Sequence, residues 1–149
     1  MRSCKTALIL CLLIWQLTAT GWAAELKLVL VASKRSPIAQ LSPNEVRKLY
    51  LGIPLFVDGQ TIKPLGNSSD QYLQEVFMQK IIFMSTQAYE RQILSRVFRV
   101  GGTRPPIYND LDKLVAALQD DPSTVSYMSD IEAINHGLKI INELWEKEK

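Results

Sequence analysis

The chain has 149 residues, 47% hydrophobic and 21% charged, with a formal net charge of +2. Arg2 and Lys5 account for that excess, so the rest is balanced and lacks the basic surplus expected of a nucleic-acid partner. Cys4 and Cys11 both lie in the first 23 residues, and His136 is the one histidine, which excludes a histidine-centred metal cluster and, beyond that segment, any thiol nucleophile or disulfide framework.

The start reads as a secretory signal peptide: Arg2 and Lys5, then an apolar run through Leu8, Leu12 and Trp15, then small residues at Gly21 and Ala23. Gly21 and Ala23 have the spacing that signal peptidase reads, which places cleavage after Ala23, and the apolar run is too short for a comfortable membrane span. The roughly 125 residues that remain suffice for one packed domain and not for two. Residues 1–23 are therefore assigned to the signal peptide and residues 24–149 to one exported domain; the periplasm as its compartment is what the resemblance described below implies.

Residues 26–32, LKLVLVA, predict a buried first strand of a mostly parallel sheet, because Lys27 is the only charge in the run. Ser33 to Pro37 break it. A helix follows, with Ser42 as N-cap, Pro43 at its first position, Glu45 completing a capping box and Gly52 as terminator. An apolar loop then reaches the turn dipeptide Asp58-Gly59, and residues 60–65 run extended. After Gly66-Asn67-Ser68-Ser69 a helix opens at Ser69 or Asp70 with Tyr72, Leu73, Val76, Phe77 and Ile81 at helical spacing, closing near Phe83. Ser85 caps the next helix, whose stripe is Tyr89, Ile93, Leu94, Val97 and Phe98, with Arg91, Arg96 and Arg99 solvated, and Gly101-Gly102 stops it.

Past the stiff loop ending in Pro105-Pro106, Asn109 or Asp110 caps a helix that ends at Asp120-Asp121-Pro122, with Asp121 in an exposed loop. Residues 124–128 and 138–141 are strand candidates, with one helical turn over residues 130–135 between them. The charged tail after Trp145 reads as frayed or weakly helical. Strands alternating with helices in one unit predict an α/β three-layer sandwich.

The stretch from Thr61 to Phe77 is the best candidate for a small-molecule site. A strand delivering small polar residues to a helix N-terminus, with its free N–H groups and partial positive charge, suits an anion; the same Asn, Ser and Asp residues also serve as ordinary caps. Gly-x-Ser-x-Gly, Walker and dinucleotide motifs are all missing, so a binding module is favoured over an enzyme.

The order of these signals resembles the phosphate-binding proteins of periplasmic ABC importers, in particular one lobe of these type 2 periplasmic binding proteins. The strand LKLVLVA, the pattern Leu41-Ser42-x-x-Glu45-Val46-Arg47-x-Leu49-Tyr50-Leu51-Gly52, the Asp58-Gly59 turn, Gly101-Gly102-Thr103-x-Pro105 and residues 125–128 carry the resemblance. That family offers phosphate a strand-borne basic residue and, four residues on, Ser-Gly-Thr at a helix N-terminus. The matching positions here are Lys63 and then Asn67, Ser68 and Ser69, with Leu73 where the family usually has an aromatic. The resemblance implies an oxyanion site at Lys63, Asn67, Ser68 and Ser69, with Arg104 as a weaker second contact, no cofactor, and a membrane transporter, sensor or second subunit as partner. The departures at each position imply the alternative: an envelope interaction module that keeps the fold without the ligand.

Overall fold

The computed structural model describes residues 25–147, so the segment read as a signal peptide lies outside the described residues. The central sheet has four strands in the order β4-β7-β1-β8, formed by Lys63–Pro64, Thr124–Ser129, Lys27–Ala32 and Lys139–Glu146. Two small ladders flank it: the hairpin β2 (Phe56–Val57) with β3 (Gln60–Thr61), and β5 (Gly66–Asn67) beside β6 (Ile107–Tyr108). The helices are α1 (Pro43–Tyr50), α2 (Gln71–Phe77), α3 (Thr86–Val100), α4 (Leu111–Asp120) and α5 (Asp130–Asn135), and a π-helical turn over Met78–Ile82 continues α2.

The α/β sandwich expected from sequence is the architecture observed, but the sheet is not mostly parallel. β1 pairs antiparallel with both β7 and β8, and in this sheet only β4 with β7 is parallel. The long apolar run in β1 misled because it reports burial on both faces, not strand direction. Leu28, Leu30 and Ala32 face one core while Val29 and Val31 face the other, the two-residue alternation of a strand covered on both sides. The first core lies beneath α1, α2 and α3, and the second beneath α4 and α5, which gives three layers.

Local chemistry sets the helix starts. Ser42 and Glu45 form the reciprocal capping box of α1, with the Ser42 N–H donating to the Glu45 carboxylate at 2.8 Å. Ser129 and Glu132 repeat the device at α5, a signal also present in the sequence but not read there. Gly52, at φ +81°, ends α1 in a conformation that a β-carbon would strain. α3 departs from its expected stripe: Tyr89 and Ile93 are buried and Val97 half-buried, whereas Leu94 and Phe98 face solvent. β8 runs beyond the expected 138–141 to Glu146, where Lys27 bonds Glu143 and Glu146 at 3.2 and 3.3 Å, and the last two residues of the charged tail lie outside the described residues. The β1–β8 ladder contains two register shifts.

Three rings organise the larger core. Phe77 stacks on Tyr127 with centroids 3.7 Å apart and planes 7° from parallel, and Tyr50 meets both edge-on at 4.8 and 5.9 Å. Phe77 is 1% exposed. Phe77→Ala should therefore cost about 3–5 kcal/mol, measured as a fall in the urea midpoint at unchanged slope.

Candidate functional site at the strand-to-helix junction

The junction is built on β7. Leu65 N–H donates to Val125 O, after which the chain leaves β7 and takes up β6: Gly66 N–H donates to Pro106 O and Ser68 N–H to Tyr108 O. Gly66 permits this crossing, because a β-carbon there would sit 3.0 Å from Ile107 Cγ1. Where the ladder to β7 stops, side chains replace it. Asn67 Nδ2 donates to Tyr127 O at 2.9 Å, and the Tyr127 hydroxyl donates back to Asn67 O at 2.8 Å. Ser126 Oγ and the Tyr50 hydroxyl both donate to Leu65 O at 2.9 Å. Burial pushes the hydroxyls of Tyr50 and Tyr127 well above the usual tyrosine range, so both stay protonated donors.

The predicted polar residues are drawn into this scaffold. Asn67 is 1% exposed, and its Oδ1 accepts from both the N–H and the hydroxyl of Ser69, at 3.0 and 2.6 Å. Ser68 Oγ donates to Tyr108 O at 3.2 Å. Asp70 is the N-cap of α2, its carboxylate accepting from Leu73 N–H at 3.0 Å. The N-terminus of α2 thus already carries a negative charge of its own.

Lys63 is not part of this group. It stands opposite Thr124 at the far end of the strand, four extended residues or roughly 13 Å from Asn67, and Nζ bonds Asp121 at 2.8 Å. Asp121, expected in an exposed loop, also accepts from the N–H and hydroxyl of Ser123 at 2.9 and 2.6 Å. The Lys63 hydrogen bond, followed by those from Ser123, lowers the Asp121 carboxyl to about 2. Arg104 Nη2 bonds Glu90 at 2.6 Å. Lys63 and Arg104 do share an open cleft of about 300 Å3, whose walls include Leu49, Ile53, Pro54 and Pro105. The structure thus holds Asn67, Ser68 and Ser69 together and sets Lys63 and Arg104 apart, and it adds Tyr50 and Tyr127, which sequence reasoning did not place at the junction, and Asp121 as the partner of Lys63. The tyrosines carried a usable signal: a buried tyrosine within an apolar element needs a partner for its hydroxyl. Among the described residues no group of three or more His, Asp or Glu side chains could hold a metal ion. No described helix is long and apolar enough to cross a membrane.

Three layers, with a strand feeding a capped helix beside the central sheet, make the mixed α/β fold through which the chain is similar to two solved structures. Among solved structures, the chain is similar to an ABC-type phosphate transport receptor from Vibrio cholerae, with a TM-score of 0.58, 12% identity, and coverage of 79% of this chain and 46% of that one. It is also similar to PstS from Borrelia burgdorferi, with a TM-score of 0.54, 12% identity, and coverage of 79% and 47%. The chain spans about half the length of either structure. No family model and no curated protein matches the sequence.

Two measurements check these placements. Asn67→Ala removes an amide that satisfies three buried or half-buried partners and should cost about 2–4 kcal/mol, whereas Ser68→Ala should cost about 1 kcal/mol or less, both read by urea denaturation. Asp121, with its carboxyl lowered in the folded state, contributes stability fully above the ordinary carboxylate value near pH 4. That contribution is lost as pH falls through about 2. Lys63→Ala should raise the Asp121 midpoint, seen in carboxyl carbon shifts, and flatten the stability profile between these values.

Proposed function

We propose that the chain is an exported, non-enzymatic, solute-binding-like lobe that works through macromolecular contact in the cell envelope rather than by tight capture of phosphate. Residues 1–23 serve as the signal peptide, residues 24–149 as the working domain, and the periplasm is the compartment.

The observation that carries this reading is the closure of the junction on itself. Asn67, Ser68 and Ser69 spend their side chains on one another and on β6 and β7, and Asp70 occupies the helix N-terminus. An arriving oxyanion would have to break these bonds and sit beside a carboxylate. Two like charges about 4 Å apart repel by roughly 1 kcal/mol in bulk water and about 4 kcal/mol at the effective dielectric of a protein surface.

A second reading, an oxyanion receptor for uptake or sensing, is favoured by one observation: the likeness of fold to a phosphate transport receptor. In it Asn67, Ser68 and Ser69 exchange their present hydrogen bonds for phosphate or a similar anion, Lys63 and Arg104 lend charge from the adjoining cleft rather than sharing that contact, and a transporter, sensor or second subunit covers the open side. Both cations are exposed enough to exchange their carboxylate partners, at 61% and 44% of the side chain.

Isothermal titration separates the two. Millimolar phosphate or sulfate should give no saturable heat; saturable heat that weakens in both Lys63→Ala and Ser69→Ala would install the receptor reading instead. Crosslinking in intact cells should trap the chain on an envelope component, and recovery of free monomer alone would remove the contact reading.

A further inference from the structure

α3 buries Tyr89 and Ile93, but its opposite face is not the polar surface of an ordinary amphipathic helix. Leu94 is 48% exposed, Phe98 85% and Val100 71%. Helical spacing sets Arg91, Leu94 and Phe98 on one stripe with Arg99 beside it. Three exposed apolar side chains within seven residues gather at the end of a helix, just before the exposed residues 101–104.

The cations around them lack carboxylate partners. Among the described residues, the ion pairs are made by Lys27, Lys63 and Arg104, and none by Arg91, Arg96 or Arg99. Arg96 and Arg99 each commit only Nε, to the carbonyls of Gly52 and Ser95, leaving their terminal nitrogens free. Glu90, the acid of the same helix, is held by Arg104. A pocket of about 230 Å3 opens between Arg96 and Arg99, walled by Leu51, Ile53 and Val100.

We propose that this end of α3 docks on an anionic lipid surface. Phe98 and Val100 enter the boundary between headgroups and acyl chains, and the pocket between Arg96 and Arg99 receives a lipid phosphate. Guanidinium nitrogens with free N–H groups match phosphate oxygens, and apolar side chains interleaved with arginine are the composition of an interfacial helix. A phenylalanine exposed to this degree stands out from the surface instead of lining a groove, which suits a deformable boundary better than a preformed protein pocket. The surface shares no residue with the strand-to-helix junction, so it stands or falls separately from the function proposed above.

The test is co-sedimentation of the purified chain with phosphatidylcholine vesicles made with and without phosphatidylglycerol. Binding should require phosphatidylglycerol and should weaken as added salt shortens the screening length from about 10 Å to about 3 Å. Arg99→Gln should lower partitioning about fivefold, and Phe98→Ala on the order of tenfold, with thermal unfolding unchanged because both side chains are exposed. Lys113→Gln, on α4, should bind as the parent does. All variants share one N-terminus, so a difference among them reports α3 and not residues 1–24. Four results would each overturn the proposal: no dependence on phosphatidylglycerol, unchanged binding in both α3 variants, an equal loss in Lys113→Gln, or full displacement by millimolar inorganic phosphate. The last would mark a free-anion site.

Discussion

The exchange between Asn67 and Tyr127 is the constraint on which the candidate site depends. A strand that must leave β7 for β6 gives up ladder hydrogen bonds in a buried place, and unmade buried bonds cost more than made ones return. The Asn67 amide and the Tyr127 hydroxyl fill that gap in both directions, while Tyr50 and Ser126 satisfy the carbonyl one step earlier. The tyrosines that donate these bonds are the rings that pack on Phe77, so the same side chains anchor the core and aim the segment that opens α2. A change in this polar network would be felt in the packing, and the reverse.

Features whose causes lie within a few residues were legible in the sequence. The capping box of α1, its proline and its terminating glycine each act within one turn, and the helix appears where they place it. The same holds for the Asp58-Gly59 turn, for Asp70 and Ser85 as caps and for the start of α4 at Asp110. Features that depend on distant partners were not legible. The apolar run of β1 announces burial and is silent on whether its neighbours run with it or against it. Asn67 looks like any capping residue until Tyr127, sixty positions away, is seen to bind it, and Lys63 looks like a free cation until Asp121 folds against it. The outer face of α3 shows a further limit: Leu94 and Phe98 keep helical spacing with the buried residues, yet lie just beyond the arc that the core covers.

The chain covers about half of each of two solved structures that share its fold. A ligand site open on one side gains little from excluding water, and what polar groups the junction has are already joined to one another. Exposed apolar side chains occur at several places, among them Phe56, Phe83 and Ile134, and α3 adds Leu94, Phe98 and Val100 within one short stretch.

The irregular ladder between β1 and β8 also bears on how copies of this chain behave when crowded. β8 is an outer strand of eight residues, long enough to template edge-to-edge growth if it were flat and apolar. Its two register shifts break the regular spacing of the ladder, and Lys139, Glu143 and Glu146 place charge of both signs along it. At the opposite rim, β4 is two residues long and Pro64 offers no N–H to a newcomer. Both rims of the sheet are therefore poor templates for cross-β assembly, a protection built from strand geometry and chain chemistry with no covering helix required.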